Sequence, residues 1–417
     1  MDRIPSTPRD GWLATVEGQG LSYAVDRGTL IGPGDDPDAP PTGGSVGDPT
    51  PYWDENAAYV VSSAEVEYRE TVTERLHGMA VAAAQAMVED TAAMGSLGLP
   101  IAATELVRDS LRAGHPSLYG RFDLAWDGTG PAKLLEYNAD TPAGLVEAAV
   151  TQWYWLEDLH PDRDQFTTLH ERLVAAWPRV VRRPPGSRVH FAVGQAEPTE
   201  DWATVAYLRD TAAEAGFADL GIVMEEIGWW SEGQRFVDGE DQVIDTCFKM
   251  YPWEWMLDQR FGPMLYDDQR STQWIEPLWK MLLGSKTLLA TMWEQNPGDE
   301  NLLATYLGGP RELTEWVSKP VCGWEGAGIR VHTADTEVAG PVGHTAGQAA
   351  VFQQFTALPD FDGNHPVVGS WIVEGSAAGI GIRESTSLIT DAGARFVPHY
   401  IDAPRSSPEE VQQWLRS

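Results

Sequence analysis

Apolar positions recur at helical spacing after Ser62: Tyr68, Val72, Leu76, Met79, Ala83 and Met87 share one face, and Ser62 with Glu65 has capping-box spacing ahead of them. This predicts a long core helix. The period then shortens. Arg121-Phe-Asp-Leu-Ala-Trp126 alternates apolar with polar, Asp127-Gly-Thr-Gly130 supplies turn residues, and Lys133-Leu-Leu-Glu-Tyr-Asn138 follows, which predicts an antiparallel hairpin. Helices are expected over 144–156 and 164–177, then a charged loop with two prolines over 179–188. The buried-looking run 188–194, the helical stretch 201–215 and the run 219–225 predict a β-α-β unit that opens a second subdomain. Further helices are expected over 274–283 and 286–295, then strands near 315–322, 328–333, 350–355, 366–374 and 377–383. Runs of strands after runs of helices indicate an α+β fold. No repeat of 20–50 residues interrupts this order. The stretch 31–52, dense in Pro, Gly and Asp, is expected to be an exposed loop.

Composition narrows the picture. The chain has 417 residues, is 42% hydrophobic and carries 62 Asp and Glu against 29 Lys and Arg, a formal charge of −33. That apolar fraction is too high for global disorder, so the acids decorate a folded surface. The same charge disfavours a nucleic-acid or anionic-membrane partner. An acidic cleft would concentrate a cationic substrate such as a polyamine, although solubility alone also accounts for the charge. Two cysteines, Cys247 and Cys322, supply neither a disulfide framework nor a four-cysteine zinc site. With no signal-peptide pattern and no long apolar run, the expected location is cytoplasmic.

Several chemistries are absent by spacing. There is no His-Glu-x-x-His, Gly-x-Ser-x-Gly, Cys-x-x-Cys or Gly-x-Gly-x-x-Gly, and Gly284-Ser-Lys286-Thr lacks the first glycine of a P-loop. Three positive constellations remain. Residues two apart on a strand share a face, so Glu136 and Asn138 project together, and the hairpin can set Asp123 opposite Glu136 with Arg121 beside it. That is either a magnesium–nucleotide site or a satisfied polar hairpin face. Lys286 and Lys319 form the second, Lys319 running into the glycine-rich Gly323-Trp-Glu-Gly-Ala-Gly328, which reads as a phosphate-covering loop or an ordinary turn. Arg383, at the end of the alternating run Gly379-Ile-Gly-Ile-Arg383, suits either a phosphoryl clamp or a strand-end salt bridge.

Together these residues resemble one family. Pro116-Ser-Leu-Tyr-Gly-Arg-Phe-Asp-Leu-Ala-Trp126, Lys133-Leu-Leu-Glu-Tyr-Asn-Ala-Asp-Thr-Pro142, Phe248-Lys-Met-Tyr-Pro-Trp-Glu-Trp255, Trp274-Ile-Glu-Pro-Leu-Trp-Lys280, Ser318-Lys-Pro-Val321 and Gly369-Ser-Trp-Ile-Val373 are similar to the synthetase domain of glutathionylspermidine synthase and its stand-alone bacterial relatives. The resemblance runs from about Trp53 onward. It implies an ATP-grasp fold with an additional β-α-β, pre-ATP-grasp-like subdomain, and a carbon–nitrogen ligase that joins a small carboxylate to an amine through an acyl phosphate, with ATP and Mg²⁺. It implies Asp123, Glu136 and Asn138 as magnesium ligands and Arg121 and Arg383 as catalytic arginines. By the same resemblance Lys286, Lys319, Glu325, Gly326, Gln353, Gln354, Phe355, Thr356 and Leu388 bind ATP, and Thr141, Glu200 and Lys249 contact substrate. The implied division is 1–52 as an N-terminal segment, 53–185 with the magnesium hairpin, 186–270 as the β-α-β substrate side, and 271–417 as lid and adenine region, interleaved in space. No stretch matches the amidase half of the bifunctional enzymes, so amide hydrolysis is not expected. A degenerate nucleotide-binding module is the alternative within the fold. A carbohydrate-active protein, suggested by 18 Trp and many carboxylates, is the alternative outside it.

Overall fold

The computed structural model describes residues 1–22, 51–194, 200–268, 271–341, 347–391 and 393–404, so the expected 31–52 loop lies almost wholly outside the described residues. Among these residues the fold is mixed α/β, built on four sheets and a two-stranded ribbon. The long helix forms over Ser63–Met87, with Ser62 and Glu65 closing the capping box. Val72, Leu76, Ala83 and Met87 are buried and Tyr68 and Met79 pack half-buried beside them. This helix covers the sheet that positions the site.

That sheet is antiparallel throughout, in the order Arg395–Val397, Ser376–Ser385, His365–Val373, Tyr119–Ala125, Lys133–Asn138. It joins the expected hairpin to strands more than two hundred residues later. The β-α-β unit is present as Arg188–Val193, helix Glu200–Glu214 and Ala218–Val223, in a parallel sheet completed by Thr246–Met250 and Gln273–Ile275. Arg188–Val193 and Thr246–Met250 are buried along nearly their whole length, so neither shows the alternation of a half-exposed strand. A third sheet, in the order Thr305–Leu307, Ala350–Gln354, Trp316–Pro320, Arg330–His332, Glu337–Ala339, is antiparallel. A fourth, mixed sheet pairs Ala57–Val61 with His399–Pro404.

Two helix expectations are corrected, and a third forms with one irregular turn. Residues 274–283 are not one helix: Gln273–Ile275 extends the parallel sheet, and helix begins only at Lys280–Gly284. Glu276 is drawn inside, where it accepts the Leu118 and Tyr119 backbone N–H groups at 2.9 and 3.0 Å. The 164–177 helix is Leu169–Val180, because Arg163–Asp164 pairs with the sheet edge and the Thr168 N–H donates to the Ala378 carbonyl at 2.7 Å. Helix 144–156 forms as one wide turn, Glu147–Thr151, followed by Gln152–Leu159. There the Gln152 amide donates both to Ala148 O, at 2.7 Å, and to Ile380 O, at 2.8 Å, stitching the wide turn to the central sheet.

Part of the tryptophan complement serves the core: Trp53, Trp155, Trp177, Trp253 and Trp371 are almost fully buried, whereas Trp202 and Trp230 are exposed. Among the described residues, no helix is long and apolar enough to cross a membrane.

Candidate functional site

The hairpin register places Asp123 opposite Glu136 and Arg121 opposite Asn138. On the reverse face Phe122 and Tyr137 stack with ring centroids 3.8 Å apart and join the core. Strand alternation thus sends the apolar pair inward and the four polar side chains to the other face. The Asn138 amide nitrogen donates to Asp123 Oδ2 at 3.3 Å and to Glu136 Oε1 at 2.9 Å, so the two carboxylates gather around one amide, and a turn of that amide would set its oxygen beside theirs within the reach of one small ion. Among the described residues no group of three or more His, Cys, Asp or Glu is placed to hold a metal ion by itself. This mixed oxygen set suits a hard cation that also takes ligands from phosphate and water, and would not suit a structural zinc.

Cations from three distant segments close around that set. Arg121 donates to Asp123 through Nε at 2.6 Å and Nη2 at 3.0 Å, and also to the Ala143 carbonyl. Gly369 makes room for it, since a Cβ there would stand 2.8 Å from Arg121 Cδ. Arg383 Nη2 lies 3.6 Å from Asp123 Oδ2. Lys286 Nζ sits 3.3 Å from Glu136 and donates to Gly323 O at 2.7 Å, while Lys319 Nζ donates to Leu135 O at 2.8 Å. Burial alone would raise the Glu136 carboxyl, yet Lys286 and then Lys319 outweigh it and hold it down at about 2. Burial lowers Lys319 to about 8 although Glu136 opposes the shift. Burial likewise opposes the charge on Arg121, but Asp123 raises its pKa above the ordinary value. At neutral pH the cluster holds two carboxylates against four cations.

Two cavities meet here. The smaller, about 120 Å³, takes in Asp123, Lys319, Glu325, Gly326 and Leu388, together with Gln353, Gln354, Phe355 and Thr356. The larger, about 350 Å³, takes in Arg121, Asn138, Thr141 and Glu200. Glu136, Lys286, Glu325 and Arg383 line both, so the charged cluster is their common wall. The Gly323–Gly328 loop roofs this junction. Glu325, Gly326 and Gly328 adopt φ of 50°, 74° and 69°, and a Cβ on Gly326 would stand 2.8 Å from Ile389 Cγ2. Trp324 rests edge-on against Trp255 at 5.0 Å.

Lys249 is not brought to either cavity. It is fully buried, donates to Asp140 Oδ1 at 2.7 Å and to Tyr251 O at 2.9 Å, and lies 4.4 Å over the Trp253 ring. Its partner Asp140 reaches the larger cavity instead. Asp140, Asp201, Tyr251, Glu254 and Trp255 also line that cavity and were not singled out from the sequence. Asp140 had a signal: it lies two residues beyond Asn138 as the hairpin strand ends. Glu254 had another, as the lone acid inside the aromatic run Tyr251-Pro-Trp-Glu-Trp255. Cys322 also lines this cavity, but burial and then Glu254 raise its thiol to about 12, and burial raises Cys247 to about 12. Neither is a thiolate nucleophile at neutral pH.

Comparison with known proteins gives a consistent set. A family profile described as "Glutathionylspermidine synthase preATP-grasp" matches residues 3–402. A "Putative acid--amine ligase" of Haemophilus influenzae is 38% identical over 362 residues, covering 84% of this chain and 91% of its own. The "Bifunctional glutathionylspermidine synthetase/amidase" of Escherichia coli is 27% identical over 358 residues, covering 79% of this chain. This chain spans only 56% of that bifunctional protein's length. Among solved structures, a glutathione synthetase-like effector from Globodera pallida aligns over 78% of this chain and 87% of its own, at 12% identity and a TM-score of 0.46.

Proposed function

The chain belongs to the glutathionylspermidine synthase family, and from that premise and the joined cavities we propose an ATP- and Mg²⁺-dependent carboxylate–amine ligase of ATP-grasp architecture that works through an acyl phosphate. The observation that carries it is the shared wall: Glu136, Lys286 and Arg383 face both cavities, so a phosphoryl group from one side meets a carboxylate from the other amid fixed positive charge. In this proposal the smaller cavity takes the nucleotide. Gln353, Gln354, Phe355, Thr356 and Leu388 enclose its base, and Lys319 with the Glu325–Gly326 loop holds its phosphates. The larger cavity takes carboxylate and amine beside Thr141 and Glu200.

Asp123, Glu136 and Asn138 would hold the magnesium, which supplies charge neutralisation on the phosphate oxygens when bound. Charge balance supports this. The cluster carries a net charge of about +2, and a fully ionised triphosphate with one Mg²⁺ brings about −2. Lys286 and Arg383 steady the phosphoryl group as it moves to the substrate carboxylate. Arg121, locked by Asp123 and Ala143, presents its guanidinium to the acyl phosphate. The amine then attacks the acyl carbon, the C–N bond forms, and inorganic phosphate leaves. No covalent bond to the protein is needed.

The test is phosphate release from ATP and Mg²⁺, with carboxylates (glutathione, small peptides, amino acids) crossed against amines (spermidine, putrescine, amino acids). Release that needs one donor and one amine, with a condensed product by mass spectrometry, is the expected result. Tight ATP binding with no productive pair would favour a nucleotide-binding module, and absence of ATP binding would overturn the proposal.

A further inference from the structure

An alkylamine reaches this site protonated, because its pKa stands near ~10 and only about one molecule in a thousand carries a free lone pair at neutral pH. Some group must take that proton as the C–N bond forms. The carboxylates of the larger cavity differ sharply in their freedom to do so. Glu136 is held ionised by two lysines and is too weak a base. Both oxygens of Asp140 are engaged, one by Lys249 Nζ at 2.7 Å and the other by the Trp253 N–H at 2.9 Å. Glu200, Asp201 and Glu325 each have interaction partners of their own, and Glu225 is exposed to solvent.

Glu254 is different. It sits in the first turn of the helix Trp253–Asp258, half-buried, and lines the cavity beside Lys286, Cys322 and Glu325. Among the described residues its carboxylate forms no ion pair and takes a hydrogen bond only from its own backbone N–H. The charged and titratable groups around it are Asp140, Lys249, Lys286 and the Cys322 thiol. Burial and then Asp140 raise its proton affinity, and its own backbone N–H, Lys249 and Lys286 oppose that shift.

We propose that Glu254 is the general base that takes the proton from the attacking amine. The inference rests on the ligase proposal above. One ammonium N–H proton passes to the Glu254 carboxylate, the freed nitrogen lone pair forms the C–N bond, the acyl C–O bond to phosphate breaks with its electrons leaving on phosphate, and the second proton shed by the nitrogen as it becomes an amide passes to the departing phosphate. Glu254 then returns its proton to solvent. General-base assistance of this kind contributes about 10²–10⁴-fold.

The test compares two nucleophiles in the full-length protein with ATP, Mg²⁺ and each carboxylate of the panel. Hydroxylamine is uncharged at neutral pH and attacks without a base; methylamine arrives as an ammonium ion. For Glu254→Gln the ratio of methylamide to hydroxamate formation is expected to fall at least 30-fold below the wild type, and Glu254→Asp is expected to restore part of it. An equal loss with both nucleophiles would mark Glu254 as structural and overturn the inference, as would an unchanged ratio. Wild-type protein that forms hydroxamate from no carboxylate would instead overturn the ligase proposal itself.

Discussion

Replacing Lys249 with methionine isolates the buried pair behind the larger cavity. Its ammonium is sealed from solvent, 2.7 Å from Asp140 and 4.4 Å over the Trp253 ring. Methionine keeps most of the volume, so cavity formation contributes little. What remains is an Asp140 carboxylate, 8% exposed, with the Trp253 N–H as its other donor. Removing one member of such a pair costs about 3–5 kcal/mol, because the survivor keeps its desolvation penalty without its counter-charge. Replacing both, as in Asp140→Asn with Lys249→Met, removes that uncompensated charge and should recover all but about 1–2 kcal/mol. Equilibrium unfolding in urea at pH 7, followed by tryptophan fluorescence, reads all four corners of the cycle. A single variant that loses under about 1 kcal/mol would refute the reasoning. So would additive losses in the double variant.

Other outcomes follow from the same geometry. His399 is fully buried, and burial, then Arg69, lower its pKa to about 3 from 6.5, so the unfolded chain binds a proton that the folded chain refuses. Its contribution is therefore complete above pH 6.5 and is lost as pH falls toward 3, about 5 kcal/mol, and a His399→Gln variant should show a flatter acid limb in melting temperature against pH. Asp123→Asn and Glu136→Gln are each expected to raise the Mg²⁺ concentration for half-maximal turnover at least tenfold, and an unchanged titration would remove the residue from the ligand set. Arg383→Ala should retain ATP binding by calorimetry while phosphate release falls at least 100-fold. Gly326→Val puts a branched side chain at φ 74° against Ile389, so the KM for ATP should rise about tenfold with the melting temperature little changed.

What could be read in advance divides by the range of the forces. The Ser63–Met87 helix and the 119–138 hairpin are set by local signals, a capping box, an alternation and a glycine turn, and both form where expected. Residues 163–168 and 273–276 were misread because their backbones are claimed by partners elsewhere in the chain, the Ala378 carbonyl in one case and the Thr246–Met250 strand in the other. A short apolar run does not reveal whether it is a buried helix or a strand of a parallel sheet. Side-chain targets are subtler. Lys249 lies on a strand whose period says nothing about Asp140, 109 residues away, so whether it would face a ligand or an ion pair was not legible. Arg69 was expected on no face in particular, yet it is buried against the Trp126 ring at 4.7 Å, and among the described residues none of its guanidinium nitrogens has a hydrogen-bond partner.

The pairing of the 119–138 hairpin with the 365–373 strand also sets a schedule for biosynthesis. At about 5–20 residues per second, a ribosome that has released the hairpin needs roughly ten to fifty seconds more before Arg383 emerges. Through that interval the nascent chain holds the acidic side chains of the hairpin but lacks the strands that complete the sheet. An interrupted translation product is therefore a fragment with an open sheet edge, a client for chaperones or proteases.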